Sequence, residues 1–127
     1  MSTGPSTSVT GTRVEDCLVV TVSRDLGGGT LDEIRRVTLD GVQRDGASGV
    51  ILEVSGVPFM DSHEFQDLRR VMHMAELLGA RCMLVGLRPG IIMHLMDSDV
   101  DVRGLRAVLG LDEALHAMRG LRDATHG

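Results

Sequence analysis

Leu52-Glu53-Val54-Ser55-Gly56-Val57-Pro58-Phe59-Met60-Asp61-Ser62 is the stretch on which the fold turns. Taken with the residues from Gly49 onward, it reads as a buried strand ending at Val54, a tight connection, and the start of a helix. The helix follows from Phe65, Leu68, Val71, Met72, Ala75 and Leu78, which recur at spacings of three and four and so share one face. Asp61 and Ser62 stand at its beginning, where four backbone N–H groups lack partners within the helix. Asp61 reads as an N-cap and Ser62 as a first-turn residue. A hydroxyl in that place is expected to be exposed, and a phosphate added to it would meet the positive end of the helix dipole.

Working outward, Cys17 to Val22 is a continuous apolar run with β-branched residues, a buried strand. Residues Val9 to Val14 pair with it as an edge strand. Leu26-Gly27-Gly28-Gly29 is a turn, and Thr30 with Glu33 has the spacing of a capping box for a helix to about Gln43. The inner face of that helix would be Leu31, Ile34, Val37 and Val42, with Gly41 weakening it by up to about 1 kcal/mol relative to alanine. The Ser62 helix ends at Gly79, suited to a left-handed cap. Arg81 to Leu87 is the next buried strand, and Pro89 opens a short helix to about Met96. Asp97 to Asp101 is an acidic loop, a short last strand falls between Arg103 and Leu109, and Leu111, Ala114, Leu115, Met118 and Leu121 form the stripe of a final helix. Alternating strands and helices predict an α/β fold, with a mixed, mostly parallel β-sheet of four to five strands packed against about four helices.

A chain of 127 residues fits one domain with a sizeable core. The expected division is a tail over residues 1–12, the domain over residues 13–123 and a tail over residues 124–127. Residues 1–12 are rich in Ser, Thr and Gly and lack the charged and apolar regions of a signal peptide, so they read as a mobile tail. A net charge of −5, no Trp, no Tyr and only two Phe argue against nucleic-acid binding, which needs a basic groove and stacking rings. No apolar run is long enough to cross a membrane. Cys17 and Cys82 lie in apolar strands and are expected to be buried free thiols, consistent with the cytoplasm. The chain contains no lysine, which excludes a Walker P-loop, a Schiff-base lysine, a Ser-x-x-Lys acylase and a protein-kinase active site.

The pattern Leu52-Glu53-Val54-Ser55-x-Val57-x-x-Met60-Asp61-Ser62, followed by a helix, resembles the signature of STAS domains, the anti-sigma-factor antagonist family. Asp16 to Val22, Gly46 to Val50, Leu78-Gly79-Ala80 and Val85 to Pro89 look like successive landmarks of the family's stressosome scaffold proteins. The short, single-domain scaffold type is the nearest in kind, and the likeness runs from about residue 14 to about residue 118. His63-Glu64 departs from the small or apolar pair commoner at that place. The resemblance implies a non-enzymatic regulator with a phosphoacceptor at Ser62 and a partner-binding surface of Met60, Asp61, Ser62, His63, Glu64 and Phe65. It implies a serine kinase of the switch type and sister STAS proteins with sensor domains as partners, in a homo- or hetero-oligomer. The alternative is a free anti-anti-sigma factor that binds an anti-sigma kinase directly. In longer sensor paralogues a threonine can occupy the position that matches His94, and an imidazole cannot serve as a stable Ser/Thr-type phosphoacceptor.

The remaining candidates read as ordinary structure. Gly27-Gly28-Gly29 lacks the spacing and the lysine of a phosphate loop, though the resemblance places it near the rim of the domain. His63, His73, His94, His116 and His126 show no metal-ligand pairing, and His63 and His73 fall on a solvated helix face. Asp97, Asp99 and Asp101 alternate as in a calcium loop, without its glycine or distal glutamate. The eight methionines suit core packing or an adaptable binding surface, core being the commoner use. Ser62 has no Gly-x-Ser-x-Gly elbow around it, so serine-hydrolase chemistry is not expected. No cofactor and no metal are expected.

Overall fold

The computed structural model describes residues 8–102, 107–108 and 110–126. Within them the elements run β1 (Val9–Val14), β2 (Cys17–Val22), α1 (Thr30–Gln43), β3 (Gly49–Glu53), α2 (Ser62–Leu77), β4 (Arg81–Val85), α3 (Pro89–Asp97), β5 (Ala107–Val108) and α4 (Leu111–His126). The strands form one sheet in the order β1-β2-β3-β4-β5. β1 pairs antiparallel with β2, Val9 opposite Val22 and Val14 opposite Cys17, and every other pairing is parallel. This is the mixed, mostly parallel sheet and four-helix set that the pattern predicts.

The continuous apolar strands are explained by burial on both faces. Side chains alternate across each strand. Leu18, Val20, Val22, Val50, Leu52, Cys82 and Leu84 enter the larger core with residues of α1, α2 and α3. Cys17, Val19, Ile51, Met83 and Val85 enter a smaller core closed by Ala114 and Met118 of α4. Both cysteines are buried, and neither forms a disulfide. Burial, with a contribution from the nearby Glu76 charge, pushes the Cys82 thiol up to about 12, so it stays protonated at neutral pH.

Several expectations are corrected. The sheet begins at Val9, which is buried, so residues 9–12 belong to the domain; residues 1–7 of the expected tail lie outside the described residues. At the other end α4 continues through His126, so residues 124–126 are helical. The start of α1 is not a capping box. Its N-cap is Gly29, with φ 90° and no side-chain cap, and Glu33 pairs instead with Arg36 at 2.9 Å. Thr30 is the first helical residue, one place past the N-cap, and is 7% exposed, so its hydroxyl does not stand in the capping position. Leu78 lies beyond the end of α2 and is exposed, because the chain has left the helix for the turn at Gly79, φ 101°. Leu31 and Val37 are only partly buried, while Thr38 and Gly41 join Ile34 and Val42 inside. A Cβ at Gly41 would overlap the Leu18 side chain, so the glycine that weakens α1 is what lets the helix lie close on β2.

Candidate functional site

β3, the central strand, delivers the chain to the carboxyl end of the sheet, and the connection to α2 is pinned by what it can bury. Val54, Val57 and Met60 are fully buried, while Pro58 and Phe59 between them face outward. Ser55 is tied back to Glu53, whose carboxylate accepts from the Ser55 amide at 3.2 Å and from its hydroxyl at 3.0 Å. Asp61 then turns extended, φ −86° and ψ 175°, and becomes the N-cap of α2. Its Oδ1 accepts from the Glu64 amide at 2.8 Å, and Glu64 Oε1 accepts from the Asp61 amide at 3.0 Å. This is a reciprocal capping box, formed by aspartate where serine or threonine is more usual.

Ser62 is the first helical residue, half-buried, and among the described residues its hydroxyl has no hydrogen-bond partner. It therefore sits beside two carboxylates already engaged with backbone amides, at the positive end of a 16-residue helix. His63 is exposed and makes no hydrogen bond to Ser62, so no general base is assembled on the hydroxyl. The arrangement can offer a hydroxyl to a phosphoryl donor and carry the charge that results.

The sequence-predicted surface separates into two groups. Asp61, Ser62, His63 and Glu64 lie together at the tip of α2 and are at least partly exposed. Met60 and Phe65, expected to contact a partner, are 0% exposed; each packs in the larger core, and the two together hold the tip in place. Sequence reading overlooked Phe59, which is 51% exposed and packs its ring against His94 of α3, centroids 5.1 Å apart. An aromatic residue in a turn, outside any periodic stripe, was the available signal. α3 is also held to the loop by Arg88, whose Nε donates to the Ser55 carbonyl at 3.0 Å. Arg69 of α2 lies 6.0 Å from the Phe65 ring centroid and donates to the Asp101 carbonyl at 2.6 Å. The start of α2, the outer face of α3 and the loop after it thus form one surface.

On the other side of Pro58, the Gly27-Gly28 turn and the β3–α2 connection border a cleft of about 570 Å³ that also includes Ser23, Arg24, Asp25, Thr30 and Gly56. Among the described residues no group of three or more His, Cys, Asp or Glu side chains gathers to hold a metal, and no helix is long and apolar enough to cross a membrane.

Comparison with known proteins follows the same lines. The family model described as STAS domain matches residues 9–114. The RsbT co-antagonist protein RsbRA of Bacillus subtilis (strain 168) is 28% identical over 79 residues, which cover 58% of this chain and 29% of that protein. The chain therefore matches under a third of RsbRA. Among solved structures, a serine-to-glutamate variant of Moorella thermoacetica RsbS superposes with a TM-score of 0.78 at 23% identity, covering 91% of this chain and 97% of that one. A structure described as the molecular architecture of the stressosome, a signal integration and transduction hub, gives a TM-score of 0.74 at 23% identity, over 89% of this chain and 98% of that one. At these identities the superpositions establish the fold.

Proposed function

From the premise that this chain belongs to the STAS-domain family, we propose that it is a non-enzymatic scaffold of a stress-signalling partner switch. Its α2 tip holds a serine kinase and lets it go when Ser62 is phosphorylated. The observation that carries this reading is the Ser62 hydroxyl: first in its helix, accessible, and without a hydrogen-bond partner among the described residues. The likeness to RsbRA, a co-antagonist of RsbT by its name, and to RsbS and stressosome structures supports the choice of partner class.

The switch is electrostatic. A phosphate adds about −1.5 to −2 charges at pH 7. Placed beside Asp61 and Glu64, it turns a tip with two backbone-engaged carboxylates into a strongly anionic one. A partner surface that covered the neutral hydroxyl then faces a charge it must desolvate. The same charge sits at the helix N-terminus, so the domain itself tolerates it. Sister STAS proteins would surround the scaffold in a larger oligomer.

The test is to incubate the protein with the switch kinase of its own organism and ATP, then map the modification by mass spectrometry. The expected product carries one phosphate, at Ser62. Modification at Ser55 or Ser98 with Ser62 untouched overturns the reading. Light scattering with co-expressed STAS proteins separates the scaffold from the alternative of a free anti-anti-sigma factor, which would stay small.

A further inference from the structure

The cleft at the start of α1 takes no part in the Ser62 reading, and its walls leave several polar groups unpaired. It lies outside the carboxyl ends of β2 and β3, where open α/β sheets bind ligands, and holds about 570 Å³. Its two sides are locked together by backbone. A Cβ at Gly56 would stand 2.8 Å from the Ser23 Cα and 2.9 Å from the Val22 carbonyl oxygen, so the β3–α2 connection lies directly against the end of β2. Thr30 lies in the wall, 7% exposed, and its hydroxyl has no hydrogen-bond partner among the described residues. A hydroxyl buried without a partner is costly and calls for an explanation. The 14-residue α1 has no side-chain cap, so its first-turn amides are open to an oxygen ligand at the positive end of the helix. Arg24 and Asp25 also line the cleft. Both are exposed, and neither forms an ion pair or hydrogen bond among the described residues. Arg35, Arg36, Arg69, Arg70 and Arg88, by contrast, each hold a carboxylate or a carbonyl.

We propose that this cleft binds a small zwitterion, a free α-amino acid. Its carboxylate accepts hydrogen bonds from the first-turn amides of α1, the Thr30 hydroxyl and the Arg24 guanidinium, and its ammonium donates to Asp25. Two features together select that class. An open helix start beside an arginine and a buried hydroxyl calls for an oxyanion. A free carboxylate in the same wall repels a purely anionic ligand, phosphate above all, and calls for a cation. A molecule carrying both charges satisfies both, and neither Arg24 nor Asp25 has to leave a partner to meet it. Gly56 and Pro58 belong to the connection that leads to α2, so the occupant touches the segment that presents the Ser62 hydroxyl.

The experiment titrates the isotope-labelled, full-length protein with the common α-amino acids singly, and separately with acetate, methylamine and inorganic phosphate. It reads the amide resonances of Gly27, Gly28, Thr30 and Leu31. At least one amino acid is expected to shift them saturably, at a concentration about tenfold or more below that needed by acetate, methylamine or phosphate. R24Q and D25N are each expected to weaken that binding about tenfold, and T30V about threefold, with melting temperature unchanged. R44Q and D99N, the same charge changes elsewhere on the surface, are expected to bind as the parent does. Shifts that fail to saturate with every amino acid overturn the proposal. Phosphate or acetate binding as tightly as the best amino acid overturns it in favour of a plain anion site. Amino-acid binding that either R24Q or D25N leaves intact overturns it as well. None of these outcomes touches the Ser62 reading, whose own test is the site of modification.

Discussion

Two helices of this molecule start in nearly the same way and end up with opposite uses for their first side chain. α1 and α2 each follow a parallel strand and a loop, and each opens on a hydroxyl residue, Thr30 and Ser62. Thr30 is 7% exposed, and Ser62 is accessible. The loops explain the difference. Before α2, Val57 and Met60 fill the core at the end of the sheet and leave Ser62 outside. Before α1, Leu26 is the one buried side chain, Gly27, Gly28 and Gly29 bring none, and Thr30, the first helical residue, is buried at the edge of the cleft. The caps follow suit: a reciprocal Asp61–Glu64 box on α2, and on α1 a left-handed Gly29 with no side-chain cap. A hydroxyl at a helix start becomes a candidate switch when its loop has already satisfied the core.

The sharpest way to break that comparison is at Ser62 itself. Ser62→Asp is expected to cost several kcal/mol of kinase affinity, because the partner must desolvate an unpaired charge. Folding stability should move by no more than about 0.5 kcal/mol, the dipole gain being offset by Asp61 and Glu64. Ser62→Ala should bind like the parent and fail to switch. Thermal melting beside calorimetric titration checks both; an unfolded Ser62→Asp, or one that binds as tightly as Ser62→Ala, removes the electrostatic mechanism.

Next in size are the residues that anchor the two first turns. Phe65 of α2 and Ile34 of α1 are both fully buried. Phe65→Ala should cost about 3–5 kcal/mol and Ile34→Ala about 2–5 kcal/mol in denaturant unfolding. A loss below about 1 kcal/mol for Phe65→Ala would mean that the tip is held by its capping box and not by the core.

Smaller effects distinguish the caps. Asp61→Ala removes a side-chain cap and should cost about 1 kcal/mol. Gly29→Ala should cost about the same for a different reason. Nothing lies within 4 Å of an added Cβ, so the whole penalty comes from holding an L-residue at φ 90°. Unfolding curves that show Gly29→Ala neutral would indicate that the α1 start relaxes freely. The smallest change is predicted for Thr30→Val, within about 0.5 kcal/mol by the same measurement, since the hydroxyl caps nothing and the shape is kept. A loss of 1 kcal/mol or more would restore the capping role that the spacing of Thr30 and Glu33 suggests.

Most of the architecture was legible because it depends on local patterns. The apolar runs at Cys17–Val22, Gly49–Val54 and Arg81–Leu87 read as buried strands, the last ending at Val85 in the structure, and α2 declared its inner face through Phe65, Leu68, Val71, Met72 and Ala75. Asp61 was legible as a cap and Ser62 as the residue after it. The sequence by itself determined that much, because hydrogen-bonding needs at a helix start and the two- and 3.6-residue periods are set within a few residues. Only the tertiary structure decided which side chains of the site reach solvent. Met60 and Phe59 are neighbours of similar apolarity, yet one is sealed in the core and the other rests on His94, 35 positions away. Thr30 read as the cap of α1 and Ser62 as the residue after the cap of α2, and only the fold buried the first and left the second accessible. Exposure is settled by which distant atoms compete for the same space in a close-packed interior, and that competition has no period along the chain.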